Sequence, residues 1–277
     1  MSHEILYQPG SFPPRLDIFK VTPEVQTHQI PVLMAPGLGS DIESNKLLMD
    51  TLALRGFRSF GPSYEYGLPG EPRKFRIFHD VGRVKQEALL AAIRAEGFPG
   101  ADGIRKVDVI THSKASINIT LLAARHPEHF RTIVMIAPTG IRPHVRLLKG
   151  IRQLNEGNHR DQKDKGRLMA EGGEVAKRVL ASDAYAASFK KNWRAFFPDV
   201  YSSATGSILD IIQQLRQKGI KIVIVAQTDD AYYDPKSYRG VEVDKLVESE
   251  GIHSAIKFKQ DACERVVKVL EELEAAA

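Results

Sequence analysis

A chain of 277 residues, 43% hydrophobic and 26% charged, is long enough to bury a sizeable core as one large domain or one domain carrying an insertion, and its composition excludes a disordered or fibrous protein. Its formal charge of +5 is spread widely, with no Arg-rich arm, zinc-ligand spacing or interleaved aromatic strip, so the basic excess speaks to solubility and argues against nucleic acid as a partner. The single cysteine, Cys263, excludes an intrachain disulfide and a multi-cysteine metal site and suits a reducing compartment.

The N-terminal stretch MSHEILYQPGSFPPR starts polar and contains two adjacent prolines, so it lacks the charged start and apolar centre of a signal peptide. No apolar run approaches the roughly 20 residues needed to span a bilayer. A cytoplasmic location without a membrane span is therefore expected. From Gln29, QIPVLMAPGLGS reads as a short apolar strand ending in a Pro/Gly turn, before the polar, helix-starting DIESNKLLMDTLALRG. RGFRSFGPS suggests a second strand, and HDVGRVKQEALLAAIRAEG has apolar residues at helical spacing, closed by Gly97.

RKVDVITHSKASINITLLAARHPE begins as a β-branched strand, turns sharply at THSKA and continues as a helix to Arg125, and RTIVMIAP follows as another buried strand. Strands alternating with helices imply parallel pairing through right-handed crossovers, with helices on both faces of the sheet. Between Gly140 and about Thr205 the alternation stops in a polar, helix-rich stretch, including GIRQLNEGNHRDQKDKGR and SFKKNWRAFFPD, that reads as an insertion. It resumes with the helix SILDIIQQLRQKG and the strand IKIVIVAQ. TDDAYYDPKSYRG is a loop, VEVDKLVES a last strand with a short helix as the alternative, GIHSAIKF a further loop and DACERVVKVLEELEA a closing amphipathic helix. Cys263 in that helix reads as a small packed residue rather than a reactive thiol.

A serine on a tight strand-to-helix turn is held in a sparsely populated backbone conformation that lifts its hydroxyl out of the sheet edge. THSKA provides that context for Ser113. Small residues are needed two positions either side, where strand and helix approach closely; Ala115 meets the demand and Thr111 strains it. KVDVITHSKAS followed by LLAARHPEHFRTIVMIAP resembles the strand, elbow, helix and next strand of the α/β-hydrolase family, although both glycines of the usual G-x-S-x-G are replaced. The resemblance covers about Pro31 to Leu273 outside the insertion. It implies an α/β fold with a mostly parallel central sheet and helices on both faces, formed by residues 1–140 and 206–277, with residues 141–205 as an inserted helical cap.

The resemblance also implies a set of catalytic groups, with no cofactor and no metal. Ser113 matches the nucleophile, and the backbone N–H of Lys114 after it one oxyanion donor. The second donor follows the family's His-Gly motif, written here APGLG; this makes Leu38 the match, with Pro36 in place of the histidine and Gly37 retained. The family's acid falls three residues beyond a glycine whose place Gln227 takes, which points to Asp230, with Asp229 a close competitor and Asp234 a distant third. The histidine belongs on the loop after the last strand, where GIHS places His253, 23 residues beyond Asp230. A serine hydroxyl is weakly nucleophilic near neutrality, so a histidine must take its proton and a carboxylate must orient that histidine.

His112 is expected to pack beside the site, and His126 and His129 to form a surface turn at a helix end. No histidine pair has the helical spacing of a metal site with an accompanying carboxylate. Phe189, Trp193, Phe196 and Phe197 could line a substrate pocket under the cap or simply pack it on the core. The charged GNHRDQKDKGR stretch reads as a solvated face. Two functions remain open: a serine hydrolase acting on a small acyl or related carbonyl substrate, and a ligand-binding or sensing protein that keeps the pocket with little turnover. Thr111, Ala115, Pro36 and Gln227 motivate the second, yet none removes a catalytic group.

Overall fold

A computed structural model describes residues 2–7, 15–37, 42–63, 80–141 and 200–275, with positions 152, 156, 157, 159, 160 and 163. The strands are β1 (Ser2–Tyr7), β2 (Arg15–Val21), β3 (Val32–Ala35), β4 (Ser59–Ser63), β5 (Phe98–Pro99), β6 (Arg105–His112), β7 (Phe130–Ile136), β8 (Lys221–Gln227) and β9 (Lys245–Ser249). The helices are α1 (Lys46–Leu54), α2 (Asp80–Glu96), α3 (Ala115–Arg125), α4 (Leu209–Gln217) and α5 (Gln260–Ala275).

The strands form one sheet in the order β1-β2-β4-β3-β6-β7-β8-β9, with β5 beside β6. Pairing from β4 through β3, β6, β7 and β8 to β9 is parallel. Runs such as IVIVA in β8 are apolar at every position because both faces of such a sheet are covered. Along β8, Ile222, Ile224 and Ala226 pack into a cluster with residues of α2, α3 and α4, whereas Val223 and Val225 face a second cluster with α1 and α5. Each of these fully buried isoleucine and valine side chains contributes about 1.5–3 kcal/mol relative to an exposed one.

β9 resolves the strand-or-helix alternative for the segment near Leu246 in favour of a strand. β1 and β2 are additional to the elements legible in the sequence: β1 pairs antiparallel with β2, and β2 antiparallel with β4, widening the sheet at one edge. α2 stops at Gly97, whose N–H donates to Ile93 O at 2.7 Å. A Cβ there would lie 2.7 Å from that oxygen and 2.8 Å from Arg105 Cβ, so only glycine fits.

Near the amino end of the parallel strands, the fully buried Asp108 of β6 is clasped by both Arg131 Nε, at 2.9 Å, and Arg131 Nη2. Burial pushes this carboxyl above its ordinary value even though the guanidinium opposes the shift. Among the described residues no helix is long and apolar enough to cross a membrane. The parallel strands all end at one edge of the sheet, and the loops leaving that edge carry the candidate site.

Candidate active site

Ser113 follows the last residue of β6 and has φ 53°, a left-handed conformation uncommon for a residue with a Cβ. The strain is held by the surrounding backbone. Ser113 N–H donates to Ile136 O at 3.0 Å, while its carbonyl accepts from Ser116 N at 3.1 Å and Thr139 N at 3.2 Å. Gly37 runs against the turn so closely that a Cβ would meet His112 O at 3.0 Å and Ser113 Cβ at 3.4 Å. Ala115 is buried. Thr111 is fully buried, and its hydroxyl lies 2.8 Å from Ser116 Oγ, so the strand end and the first turn of α3 share a buried hydrogen bond.

The chain leaving β8 turns back on itself at Asp230, whose N–H donates to Gln227 O at 3.3 Å. The Asp230 carboxylate is completely buried. Oδ1 accepts from Tyr232 N at 2.8 Å and Tyr233 N at 3.1 Å, and Oδ2 lies 2.9 Å from His253 Nδ1. The Nδ1–H donor role this bond assigns leaves His253 Nε2 as the acceptor. Asp229 is exposed, and Asp234 caps a short 3-10 turn by accepting from Lys236 N at 2.9 Å. Of the three aspartates considered, Asp230 is therefore the one joined to the histidine.

His253 is 7% exposed and lies among rings, with centroids of Tyr232 at 4.6 Å, His112 at 4.9 Å and Tyr233 at 6.0 Å. His112 Nε2–H donates to the His253 carbonyl at 2.9 Å. Tyr233 OH lies 3.0 Å from Thr139 Oγ1, and Thr139 is the residue whose N–H holds the Ser113 carbonyl. A continuous circuit thus runs from Ser113 through Thr139, Tyr233, Asp230 and His253 to His112, the residue before the serine. Tyr233 and Thr139 were not legible as site residues, since the bond between them joins positions 94 residues apart, and Tyr232 enters through its ring contact with His253.

Gln227, in the place of the family glycine, is fully buried, and neither of its amide atoms has a hydrogen-bond partner among the described residues. Its Oε1 would be 3.4 Å from a Cβ on Gly251, a residue at φ 137° in the loop leading to His253. Lys114 is also buried, and its ammonium donates to Asn118 Oδ1 at 3.3 Å. From the inserted stretch, Gly157 is buried so tightly that a Cβ would sit 2.6 Å from Tyr232 Cδ1. Leu38, Phe189, Trp193, Phe196 and Phe197 lie outside the described residues.

His126 and His129 flank a 3-10 turn as expected, but His129 is not on the surface: it is 9% exposed and donates from Nδ1 to Arg105 O at 2.6 Å. Cys263 is buried, with its thiol donating to Ile256 O at 3.2 Å, and burial pushes its pKa to about 12. Among the described residues there is no group of three or more His, Cys, Asp or Glu placed to hold a metal ion.

Comparison with protein-family models gives no match, and comparison with curated proteins gives none. Solved structures do match over nearly the whole chain. A bromoperoxidase from Bacillus anthracis superposes with TM-score 0.67 at 11% identity, covering 98% of this chain and 100% of its own. A thermophilic esterase from Thermogutta terrifontis gives TM-score 0.63 at 13% identity, covering 100% of this chain and 99% of its own. An epoxide hydrolase from Vigna radiata gives TM-score 0.61 at 15% identity, covering 100% and 98%. The chain has the α/β-hydrolase fold.

Proposed function

We propose that the protein is a serine hydrolase that cleaves a carboxylic ester or related acyl substrate through an acyl-enzyme, with Ser113 as nucleophile, His253 as base and Asp230 as the acid that orients it. The observation that carries this reading is the buried Asp230 carboxylate 2.9 Å from His253 Nδ1, on the same sheet edge as a serine held at φ 53°. The structural neighbours include an esterase and an epoxide hydrolase, which is in keeping with hydrolysis on this fold.

In the first half-reaction Ser113 Oγ adds to the substrate carbonyl carbon as its proton passes to His253 Nε2. The carbonyl oxygen becomes an oxyanion, received by the backbone N–H of Lys114 and that of Leu38. Each such donor lowers the barrier by about 3–4 kcal/mol. Collapse of the tetrahedral adduct breaks the bond to the leaving alkoxide, which takes the proton from Nε2. Water then repeats the sequence on the acyl-enzyme, giving a carboxylic acid and free Ser113. Asp230 keeps Nδ1 protonated throughout and stabilises the transient imidazolium. Residues 141–205 form a helical cap over this pocket, a placement supported by the contact of Gly157 with Tyr232.

Turnover of short- and medium-chain p-nitrophenyl esters by wild type, Ser113→Ala and His253→Ala tests the proposal. Activity in wild type that falls to the uncatalysed rate in both variants is expected. Equal activity in Ser113→Ala would place the reaction elsewhere, and absence of turnover with any acyl probe would favour the ligand-binding alternative.

A further inference from the structure

Positions 152, 156, 157, 159, 160 and 163 of the inserted stretch are helical. Arg152 and Glu156 pair at the i, i+4 helical spacing, Nε to Oε1 at 2.8 Å, and both are exposed. His159, Arg160 and Lys163 are exposed as well. Among these described positions only Gly157 is buried, and it is a glycine where helix propensity favours alanine. What it faces explains the residue: a Cβ would sit 2.6 Å from Tyr232 Cδ1, 2.9 Å from Tyr232 Cγ and 3.1 Å from Ala231 O. The helix therefore meets the core here by laying bare backbone against the Tyr232 ring. The same ring touches the proposed base. Its centroid is 4.6 Å from that of His253 with the planes at 53°, closer than His112 at 4.9 Å or Tyr233 at 6.0 Å.

We infer that Tyr232 is a positioning residue through which the helix carrying Gly157 sets the tilt of the His253 ring, so that the docking of this helix governs how fast Ser113 is activated. This inference rests on the serine-hydrolase reading of Ser113 and His253. Asp230 holds the imidazole by one atom, Nδ1, at 2.9 Å, and a single hydrogen bond leaves the tilt of the ring to its packing. The main chain of Tyr232 is itself fixed, since its N–H donates to Asp230 Oδ1 at 2.8 Å. A ring pressed by the helix therefore yields by turning about its own χ1 and χ2, and that changes the surface it presents to His253. An imidazole tilted out of place carries Nε2 away from the Ser113 hydroxyl, and small displacements of a reacting group cost rate steeply. The insertion is thus tied to the chemical step itself, apart from any share it has in holding substrate.

The test is a double-mutant cycle on the full-length protein, read by the rate of fluorophosphonate labelling and by kcat and KM for p-nitrophenyl butanoate. Gly157→Ala is expected to lower the labelling rate and kcat by roughly ten-fold, with KM changed by less than about two-fold. That penalty is expected to persist in a Tyr232→Phe background, which keeps the ring, and to vanish in Tyr232→Ala, where the added methyl group meets no ring. An equal penalty in the Tyr232→Ala background, or a loss confined to KM, would overturn the relay. A second reading is independent of turnover: the ring-proton resonances of His253, assigned by their absence in His253→Gln, are expected to move in Gly157→Ala. Melting curves report whether Tyr232→Ala folds; if it does not, these resonances decide, and an unmoved His253 ring overturns the relay. Labelling also separates the two levels. A label on Ser113 whose rate ignores Gly157→Ala removes the relay alone, whereas wild type that takes no label removes the hydrolase reading with it.

Discussion

His112 and His253 are joined side chain to main chain: Nε2–H of His112 donates to the carbonyl of His253 at 2.9 Å, across 141 residues of sequence. The residue that precedes the proposed nucleophile thereby holds the loop that carries the proposed base. Replacing His112 with leucine removes one hydrogen bond, about 1–2 kcal/mol, from the placement of His253. The expected result is a roughly ten-fold drop in kcat, and in the rate of fluorophosphonate labelling, with partial recovery in His112→Gln. An unchanged labelling rate would mean that the loop is held elsewhere.

The three aspartates after β8 are separable by kinetics. Asp230→Asn keeps the shape of the side chain but removes the charge that keeps His253 Nδ1 protonated, and is expected to lower kcat by about four orders of magnitude. Asp229→Asn, at an exposed position, should change it by less than about two-fold. Asp234→Ala loses a cap to the 3-10 turn and should cost about 1 kcal/mol of stability without a kinetic defect. A defect in Asp229→Asn equal to that in Asp230→Asn would contradict the assignment.

Gln227 offers the opposite kind of test, because a buried amide with no partner among the described residues lowers stability. Gln227→Met, similar in length and apolar, is expected to raise the free energy of unfolding by about 1–2 kcal/mol, read from the urea midpoint at constant m. A loss of stability would show that the amide is hydrogen-bonded in solution.

At the far edge of the sheet, Arg131→Met leaves the carboxyl of Asp108 buried without its guanidinium. The cost at neutral pH should be about 3–5 kcal/mol. Burial already raises this carboxyl, and without Arg131 it rises further, so the folded variant binds a proton more readily than the unfolded chain does. Its stability therefore increases as pH falls through the folded pKa, and the gap to wild type narrows in acid. A gap independent of pH in urea titrations would rule out Asp108 as its source.

The parallel core was legible because stretches such as IVMI and IVIVA are apolar at every position, as is usual for strands covered on both faces. β1 and β2 escaped for the converse reason: SHEILY and RLDIFKV are mixed strands near a proline pair, and Leu16 and Ile18 show their inward alternation only once the partner strand is known. The choice of Asp230 was available from its offset beyond β8, and burial of its carboxylate against two backbone N–H groups gives the physical reason. The hydrogen bond of Thr111 was not legible, because a residue pattern shows the bulk of a threonine but not the Ser116 hydroxyl 2.8 Å from its own. The ring contacts of His253 and the Gly157–Tyr232 approach depend on segments brought together only by the complete sheet, so no local spacing announces them.

The most direct test of the central claim is intact-mass analysis after treatment with a fluorophosphonate, for wild type and Ser113→Ala. The account predicts a single adduct on wild type, mapped to the peptide containing Ser113, and none on the variant. Wild type that remains unlabelled, or an adduct that survives in Ser113→Ala, would contradict an activated serine at the β6–α3 turn.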